Sequence, residues 1–445
     1  MTIQLSDHFT YQRLLRFVFP SIIMMMFTSV YGVVDGLFIS NFVGKAAFAA
    51  INLIMPVDMI FGGFGFMLGT GGSALVAKTL GEQKAARAKQ YFTMLIVVTL
   101  LLGILLSIIG IAIMKPVSIL LGADAQMLPE CVTYGRITMG FGVAFMLQNA
   151  MQSFLIIAEK PNLGLATTVA AGLTNMILDA LFIAIFHWGV ADAALATGLS
   201  QCVGGILPFF YFFKPNKSLL HFVKTRLEIK PILKACINGS SEMVSSVTSS
   251  IIGILYNFQL LSHAGQNGVA VYGVLMYLQF VFVSIFLGYS IGSAPIVGYH
   301  YGAGNHEELQ NLFKKSVILM ITIGGGMVLT AQLLAVPLST LFVGYDTNLL
   351  MMTIRALRIA TLAFLVTGLN IFVSSFFTAL NNGGVSAAIS FLRTFGFKLV
   401  AVLLLPPLLG LDGIWLSDVT AEAFSCLLSV LFLIINNKKY HYFMQ

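Results

Sequence analysis

The chain has 445 residues, of which 58% are hydrophobic and only 9% charged, and its mean hydropathy is +0.93. Soluble domains carry about 25% charged residues, so this composition excludes a soluble globular protein and indicates a membrane protein. The net charge of +7 gives no reason to expect a nucleic-acid partner, because the basic residues collect in loops on one side of the predicted spans.

Long apolar runs recur along the whole chain, and each can cross a hydrocarbon core of about 30 Å as a helix of roughly 20 residues. Transmembrane β-strands would instead alternate in polarity over about 10 residues, and the sequence lacks that pattern. We therefore predict an all-α polytopic membrane protein with twelve transmembrane helices. In chain order the predicted spans are 14–40, 50–77, 91–113, 131–157, 164–187, 190–213, 233–260, 270–300, 313–336, 352–380, 385–408 and 413–436.

The first half carries few ionisable groups inside its spans, and each is a functional candidate because such groups are costly in a membrane. Asp35 lies in the first span, which is too long for a cleavable signal. Asp179 lies in the fifth span, four residues after Asn175 and on the same helical face. Counted from the outer ends of their spans, Asp35, Asp179 and Thr197 of the sixth span lie at similar depths.

Two carboxylates with amide and hydroxyl oxygens around them can hold a proton or Na⁺. We therefore predict a cation-coupling site for H⁺ or Na⁺, with no other metal and no cofactor. The alternative is that each acid only bonds a neighbouring helix. The predicted coupling residues are Asp35, Asn175, Asp179 and Thr197.

The fourth span carries a run of amides, which can line a substrate cavity or join helices. These substrate-cavity candidates are Gln148, Asn149 and Gln152. The second half carries a different charged set, in which opposite charges roughly balance. We interpret that set as a paired network that fixes the last two spans, with a second cation or substrate site as the alternative. Its members are Glu242, Arg393, Lys398, Asp418 and Glu422.

The second half of the sequence repeats the first at an offset of about 221 residues. GSALVAKTLGE at Gly72–Glu82 returns as GSAPIVGYHYGAGN at Gly292–Asn305, and Gly189 returns as Gly410. Paired repeats are the usual construction of membrane carriers, because two similar bundles can move against each other around a site between them. We predict two pseudo-symmetric six-helix lobes and a linker, at residues 1–213, 233–445 and 214–232.

The linker is the longest polar stretch of the chain. Leu219 and Phe222 alternate there with Lys224 and Arg226, which suits a short helix on the anionic inner leaflet. Most Lys and Arg residues fall in cytoplasmic loops if the N-terminus is cytoplasmic, and an even number of spans returns the C-terminus to that side. We predict a multi-pass protein of the cell (plasma or inner) membrane with both termini cytoplasmic, and we expect a monomer in the lipid bilayer.

Several motifs occur together in a specific order and spacing. They are VVDGLFISNFVG at Val33–Gly44, GSALVAKTLGE after the second span, AEKP at Ala158–Pro161, TNMILDALFI at Thr174–Ile183, VADAALAT at Val190–Thr197 and GIWLS at Gly413–Ser417. Through them the chain resembles the MATE (multidrug and toxic compound extrusion) transporters, of the prokaryotic DinF-like and MepA-like branch. The resemblance covers nearly all of the chain and implies a V-shaped pair of bundles related by a pseudo-two-fold axis normal to the membrane.

The resemblance also implies a function. A transporter of this kind exports organic, often cationic and amphipathic compounds by alternating access, as an antiporter of inward H⁺ or Na⁺. Its expected partners are small-molecule drugs or toxic metabolites, and no enzymatic activity is expected.

The resemblance further implies roles for individual residues. Asp35 matches the family's acid of the first span, Asp179 belongs to its Asn/Asp pair of the fifth, and Thr197 matches its hydroxyl of the sixth. Pro20 matches a proline at which the first span bends. Glu242 lies less deep in its span than the corresponding acid of the NorM-like branch.

Other functions account for the sequence less well. A flippase for a lipid-linked or amphipathic lipid of the same superfamily needs a cationic cavity, for which only Arg393 and Lys398 are available. An intramembrane transferase needs paired aspartate motifs or a catalytic histidine within a span. An ATP-driven pump needs a GxxxxGK[ST] motif, which is absent from this sequence.

Overall fold

A computed structural model describes residues 3–38, 45–182, 189–214 and 218–443, and within these ranges the chain is helical with no β-strand. Ten helical stretches of the described residues are long and apolar enough to span a membrane, and two shorter helices bent by 52° make an eleventh span. The longest helix, of 74 residues, contains a non-helical residue at Gly265 (φ 59°, ψ −147°) and thus comprises two spans. The predicted all-α fold with twelve spans is confirmed.

The helices are numbered in chain order. In the first half they are α1 (Tyr11–Phe38), α2 (Lys45–Gly81), α3 (Ala85–Leu120), α4 (Leu128–Gly140), α5 (Gly142–Ile157), α6 (Pro161–Leu181) and α7 (Val190–Phe213). In the second half they are α8 (Ile229–Gly302), α9 (His306–Val343), α10 (Thr347–Ala360), α11 (Phe364–Ala379), α12 (Gly383–Phe391), α13 (Phe397–Leu409) and α14 (Leu411–Tyr440). A 3₁₀ turn, Thr361–Ala363, joins α10 to α11, and a π-helical turn, Leu392–Gly396, joins α12 to α13.

The sequence repeat is also present in the backbone. Residues with positive φ recur at the repeat offset, as the pairs Gln83 and Gly304, Glu159 and Asn381, and Gly189 and Gly410. In the last pair, φ and ψ are 82° and −135° in one half and 61° and −139° in the other, and each glycine immediately precedes a helix. Residues other than glycine avoid this region, so the same turn is built twice by the same residue type.

The two halves pack closely at one end of the molecule, here called the closed end. A Cβ atom on Gly71 of α2 would lie 2.1 Å from the Ala235 carbonyl oxygen of α8, and one on Gly239 would lie 2.0 Å from the Met67 carbonyl oxygen. Glycine therefore permits backbone contact between the halves there. The two halves are thus in direct backbone contact at the closed end.

An N-terminal segment, residues 3–10, joins both halves at the closed end. The Leu5 N–H donates to Glu159 Oε1 at 2.7 Å, and the Phe9 N–H donates to Glu308 Oε1 at 2.9 Å. His8 Nδ1 lies 2.6 Å from Glu308 Oε2, and Phe9 is fully buried. Because Glu159 belongs to the first half and Glu308 to the second, the segment bonds the halves to each other.

The prediction of a short surface helix in the linker is wrong, since residues 218–228 are not helical. Phe222 instead stacks on Phe92 of α3, with ring centroids 5.2 Å apart, and the Val223 N–H donates to Thr93 Oγ1 at 3.1 Å. Phe222 of the amphipathic pattern is thus packed against α3, whereas Leu219 stays exposed.

Candidate functional site

The predicted coupling residues meet inside the first half. Asp35 lies near the end of α1, and its carboxyl contacts the carboxyl of Asp179 and the amide of Asn175 on α6. Asn175 and Asp179 are 1% and 0% exposed, as expected for two residues four apart on an inward helical face. Asn175 Nδ2 also lies 3.5 Å from Thr197 Oγ1 of α7, so three helices supply this acid site.

A glycine allows α1 to approach α6 at this site. A Cβ atom on Gly172 of α6 would lie 2.4 Å from the Phe27 ring and 3.2 Å from the Tyr31 ring of α1. Any larger residue would push the two helices apart. Because Tyr31 and Asp35 are one turn apart on α1, the same contact sets the position of the Asp35 carboxyl beside Asp179.

Three of the four carboxyl oxygens of the acid site are unbonded, and no cation of the described residues lies beside them. Both carboxyl oxygens of Asp179 and Oδ1 of Asp35 are buried and accept no hydrogen bond from the described residues. Two buried carboxylates in contact are strongly unfavourable when both are charged, because desolvation and repulsion act together. A proton or Na⁺ between them removes that cost, so the arrangement can bind and release a single monovalent cation.

The three amides of α5 lie in helix contacts and do not line the cavity between the halves. Asn149 Nδ2 donates to the Gly62 carbonyl oxygen of α2 at 3.4 Å, and Gln152 Nε2 donates to Thr168 Oγ1 of α6 at 3.4 Å. Gln148 packs directly on Gly204 of α7. All three are buried, because an amide inside a bundle can bond backbone or hydroxyl groups of neighbouring helices. Of the two readings left open by the sequence, the geometry matches the joining of helices.

The second half pairs its charges. Arg393 Nε donates to both carboxyl oxygens of Glu422, at 2.9 and 3.1 Å, and Asn370 Nδ2 donates to Glu422 Oε2 at 2.7 Å. Lys398 Nζ lies 2.7 Å from Asp418 Oδ1. These contacts tie α11 and the segment from the π-helical turn to α13 onto α14.

Glu242 is the member of the second-half set without an ion pair in the described part of the chain. It lies on α8, and its side chain lines a cavity between the halves together with Arg393. Pro20, the predicted conformational residue, lies within α1, which is one continuous helix from Tyr11 to Phe38.

Sequence reasoning missed several buried polar residues. Asp192, in the first turn of α7, is fully buried, and the signal for it was available because it is an ionisable residue inside a predicted span. Glu308 is 5% exposed at the start of α9. Its role depends on the N-terminal segment, and no local pattern indicates a contact between residues so distant in sequence.

Two repeated bundles of membrane-spanning helices with an unpaired buried acid site define a polytopic protein with the construction of a secondary transporter. The family model MatE matches residues 20–181 and again residues 242–404, one match in each half. The chain therefore belongs to the MatE family.

Named relatives cover almost the whole chain. "Multidrug export protein MepA" of Staphylococcus haemolyticus is 22% identical over 422 residues, which are 94% of this chain and 92% of that protein. The protein of the same name from Staphylococcus aureus strain MSSA476 is 23% identical over 95% of this chain and 93% of its own length. A solved structure described as the outward-facing conformation of a multidrug resistance MATE family transporter has a TM-score of 0.92 at 21% identity, covering 98% of both chains. That likeness establishes the fold.

Proposed function

We propose that this protein is a secondary active multidrug exporter, in which lobes at residues 1–213 and 233–445 alternate access to organic, often cationic compounds. The observation that carries the proposal is the acid site, where Asp35 and Asp179 meet with no cation partner among the described residues and with three of their four carboxyl oxygens unbonded. Such a pair requires a mobile cation, and a mobile cation is what an antiporter exchanges for its substrate. The names of the MepA relatives support the drug-export half of the proposal.

The exchange follows from linkage. In the outward-open state, H⁺ or Na⁺ enters the acid site with Asn175 and Thr197 as further ligands, and this favours release of the drug. In the inward-open state the cation leaves and a drug binds. If cation and drug weaken each other's binding by a common factor of about 10, the coupling free energy is about 1.4 kcal/mol.

The flippase alternative gains no support from the charges of the second half. A lipid-linked substrate with a pyrophosphate group needs free cationic side chains in the central cavity. Lys398 is paired with Asp418, and Arg393 uses its Nε to bond Glu422. The positive charge of each of these residues is therefore already balanced by an acid of the second half.

The proposal is tested by uptake of a fluorescent cationic dye into inverted membrane vesicles, driven separately by a pH gradient and by a Na⁺ gradient. One of the two gradients should drive uptake. Asp35→Asn and Asp179→Asn should each abolish the driven component, because a neutral partner removes the need for a cation. A matched control is Asp58→Asn on α2, which replaces a partly buried acid of the first half that hydrogen-bonds Thr138.

The control should keep at least half of the native rate, and all three variants should remain folded and inserted. Native gradient-driven transport by Asp35→Asn would show that the coupling site lies elsewhere. Equal loss in Asp58→Asn would show that the effect is structural and not specific to the pair.

We also propose that the protein lies in the plasma membrane with both termini and the closed end in the cytoplasm. The support is the excess of Lys and Arg in the loops of that side. In a variant without the four native cysteines, cysteines placed at Lys84, Lys224 and Asn381 should react only with a reagent supplied from the cytoplasm. Those at Asp124 and Asp346 should react from outside. Reversed labelling at any two of these positions contradicts the orientation.

A further inference from the structure

A second polar site lies between the halves, away from the acid site. It is a cavity of about 200 Å³, lined mainly by α8, α11 and the α12 to α13 segment, with contributions from α2 and α5. Eleven of the eighteen described residues that line it are Ser or Thr, and the ionisable residues among them are Glu242 and Arg393. A cavity walled by hydroxyls in the middle of an apolar protein suits a polar ligand better than a purely apolar one, because a hydroxyl oxygen that bonds its own helix can still accept a further hydrogen bond.

Arg393 has donors to spare. Only its Nε bonds Glu422, whereas Nη1 and Nη2 bond no described residue and the side chain lines the cavity. The residue lies in the π-helical turn Leu392–Gly396, which interrupts the helix between α12 and α13. Such turns often mark functional sites because the extra residue changes the direction of neighbouring side chains. Two parallel N–H donors of a guanidinium match the two oxygens of a carboxylate.

Glu242 supplies the opposite charge. It lies on α8 with Ser245 and Ser249 on the same helical face, three and seven residues farther along, and all three line the cavity. Glu422 already balances the charge of Arg393, so the Glu242 carboxylate is left without an ion-pair partner in the described chain. Its natural partner in a ligand is an ammonium group.

One hydroxyl points independently to a ligand. Ser290 of α8 is 2% exposed and lines the cavity, and its Oγ has no hydrogen-bond partner among the described residues. Most buried hydroxyls in this chain bond a carbonyl oxygen of the preceding turn, as Thr248 and Thr367 do. A buried hydroxyl left unbonded costs about 1–3 kcal/mol unless a partner is supplied.

We propose that this cavity binds a compact zwitterion of the amino-acid class, with its carboxylate on Arg393, its ammonium on Glu242 and hydroxyls such as Ser290 completing the bonds. The site goes beyond the proposed export of organic cations, since neither the acid site nor an ion gradient takes part in it. Its volume admits small hydrophilic molecules and excludes large polycyclic drugs.

Equilibrium binding to the purified full-length protein tests the proposal without transport, so its failure is separate from failure of the exporter function. The probes are glycine, β-alanine, γ-aminobutyrate and ε-aminocaproate, each titrated calorimetrically, with butylamine and butyrate as single-charge analogues. At least one zwitterion should bind at least about 10-fold more tightly than either analogue, because it alone engages both charges. The series also measures the ligand charge separation that the site prefers.

Substitutions in the cavity test the proposed contacts of the ligand with individual residues. Glu242→Gln should reduce zwitterion affinity at least about 10-fold while leaving butyrate binding unchanged. Ser290→Ala should weaken zwitterion binding, whereas its control Ser240→Ala should not, because Ser240 lies outside the cavity and bonds the Ile237 carbonyl oxygen.

Three results would overturn the proposal. Butylamine binding as tightly as the best zwitterion would make the cavity a simple organic-cation site. Full affinity in Glu242→Gln would exclude the assigned ammonium contact. Absence of binding by every amino acid in the series to a protein of native thermal stability would remove the site altogether.

Discussion

Buried acids occur in both halves of the molecule, but their surroundings differ. Asp35 and Asp179 in the first half face each other, and Asp179 accepts no hydrogen bond from the described residues. Glu422 and Asp418 in the second half each have a fixed cation within 3 Å. The Asp35 and Asp179 pair is therefore left to be neutralised from outside, whereas Glu422 and Asp418 are neutralised within their own half.

The difference separates two uses of the same residue type. A carboxylate with its own lysine or arginine is balanced at all times and fixes the helices that carry the pair. A carboxylate whose nearest ionisable neighbour is another carboxylate is stable only while a proton or Na⁺ is bound, so its state follows the concentration of that ion. Repetition of the fold thus does not require repetition of the chemistry.

The largest effect is expected when the first half is given a fixed cation like that of the second half. Asn175→Lys would place an ammonium group beside Asp35 and Asp179, as Lys398 lies beside Asp418. We expect gradient-driven dye uptake to fall at least about 100-fold in this variant, because the internal cation competes with the mobile one at short range. Dye binding by the purified variant shows that it is folded. Native uptake would mean that the acid site does not carry the coupling ion.

Removal of a fixed cation from the second half should act on stability. Lys398→Ala leaves the Asp418 carboxylate buried without its partner, so we expect a loss of about 3–5 kcal/mol in the free energy of unfolding, measured by denaturation in detergent. Lys84→Ala is the control, because Lys84 pairs with Glu82 at the surface and such pairs contribute about 0–1 kcal/mol.

The double variant Lys398→Met with Asp418→Asn removes both charges and should recover most of the lost stability. If it is as unstable as Lys398→Ala, the loss comes from packing and not from a stranded charge. That result would weaken the contrast between the two halves.

The smallest expected effect is on drug affinity. Dye binding to the native protein should weaken about 10-fold, or about 1.4 kcal/mol, when the acid site is filled by acidification or by added Na⁺, whichever ion is the partner. Asp179→Asn should show a constant dye affinity over the same range, because a single carboxylate beside an amide lacks the second negative charge that makes cation binding favourable. A full ion response in that variant would move the linkage to Glu242 and the second half.

Much of the fold could be predicted from the sequence, because apolar runs in a membrane have few alternatives to helix. The sixth span was predicted at residues 190–213, which are the bounds of α7. The bend of 52° between α4 and α5 was not predicted, because the run 131–157 is apolar throughout. The π-helical turn after α12 was also missed, since a single extra residue in a helical turn leaves no mark in hydropathy.

The site residues divide in the same way. Asp35, Asn175, Asp179 and Thr197 could be selected because charged and polar groups are conspicuous in apolar spans. The hydroxyl-lined cavity could not, since Ser and Thr occur in most spans and bond their own helix in most places. Only tertiary structure shows that those of α8, α11 and α12 face one space. The pairing of Arg393 with an acid could be predicted from the balance of opposite charges in the last two spans. The unbonded Nη1 and Nη2 donors of Arg393 could not.

The N-terminal segment has a consequence for biosynthesis. Phe9 leaves the ribosome before α1, yet its bonding partner Glu308 is 299 positions later. Leu5 can reach Glu159 once the first half is made, but Phe9 stays without its burial site until α9 has been synthesised. A chain interrupted before α9 would therefore leave Phe9 unburied ahead of α1, and exposed apolar groups of incompletely folded chains are what chaperones and proteases act on. A segment synthesised before α1 is thus placed only after α9.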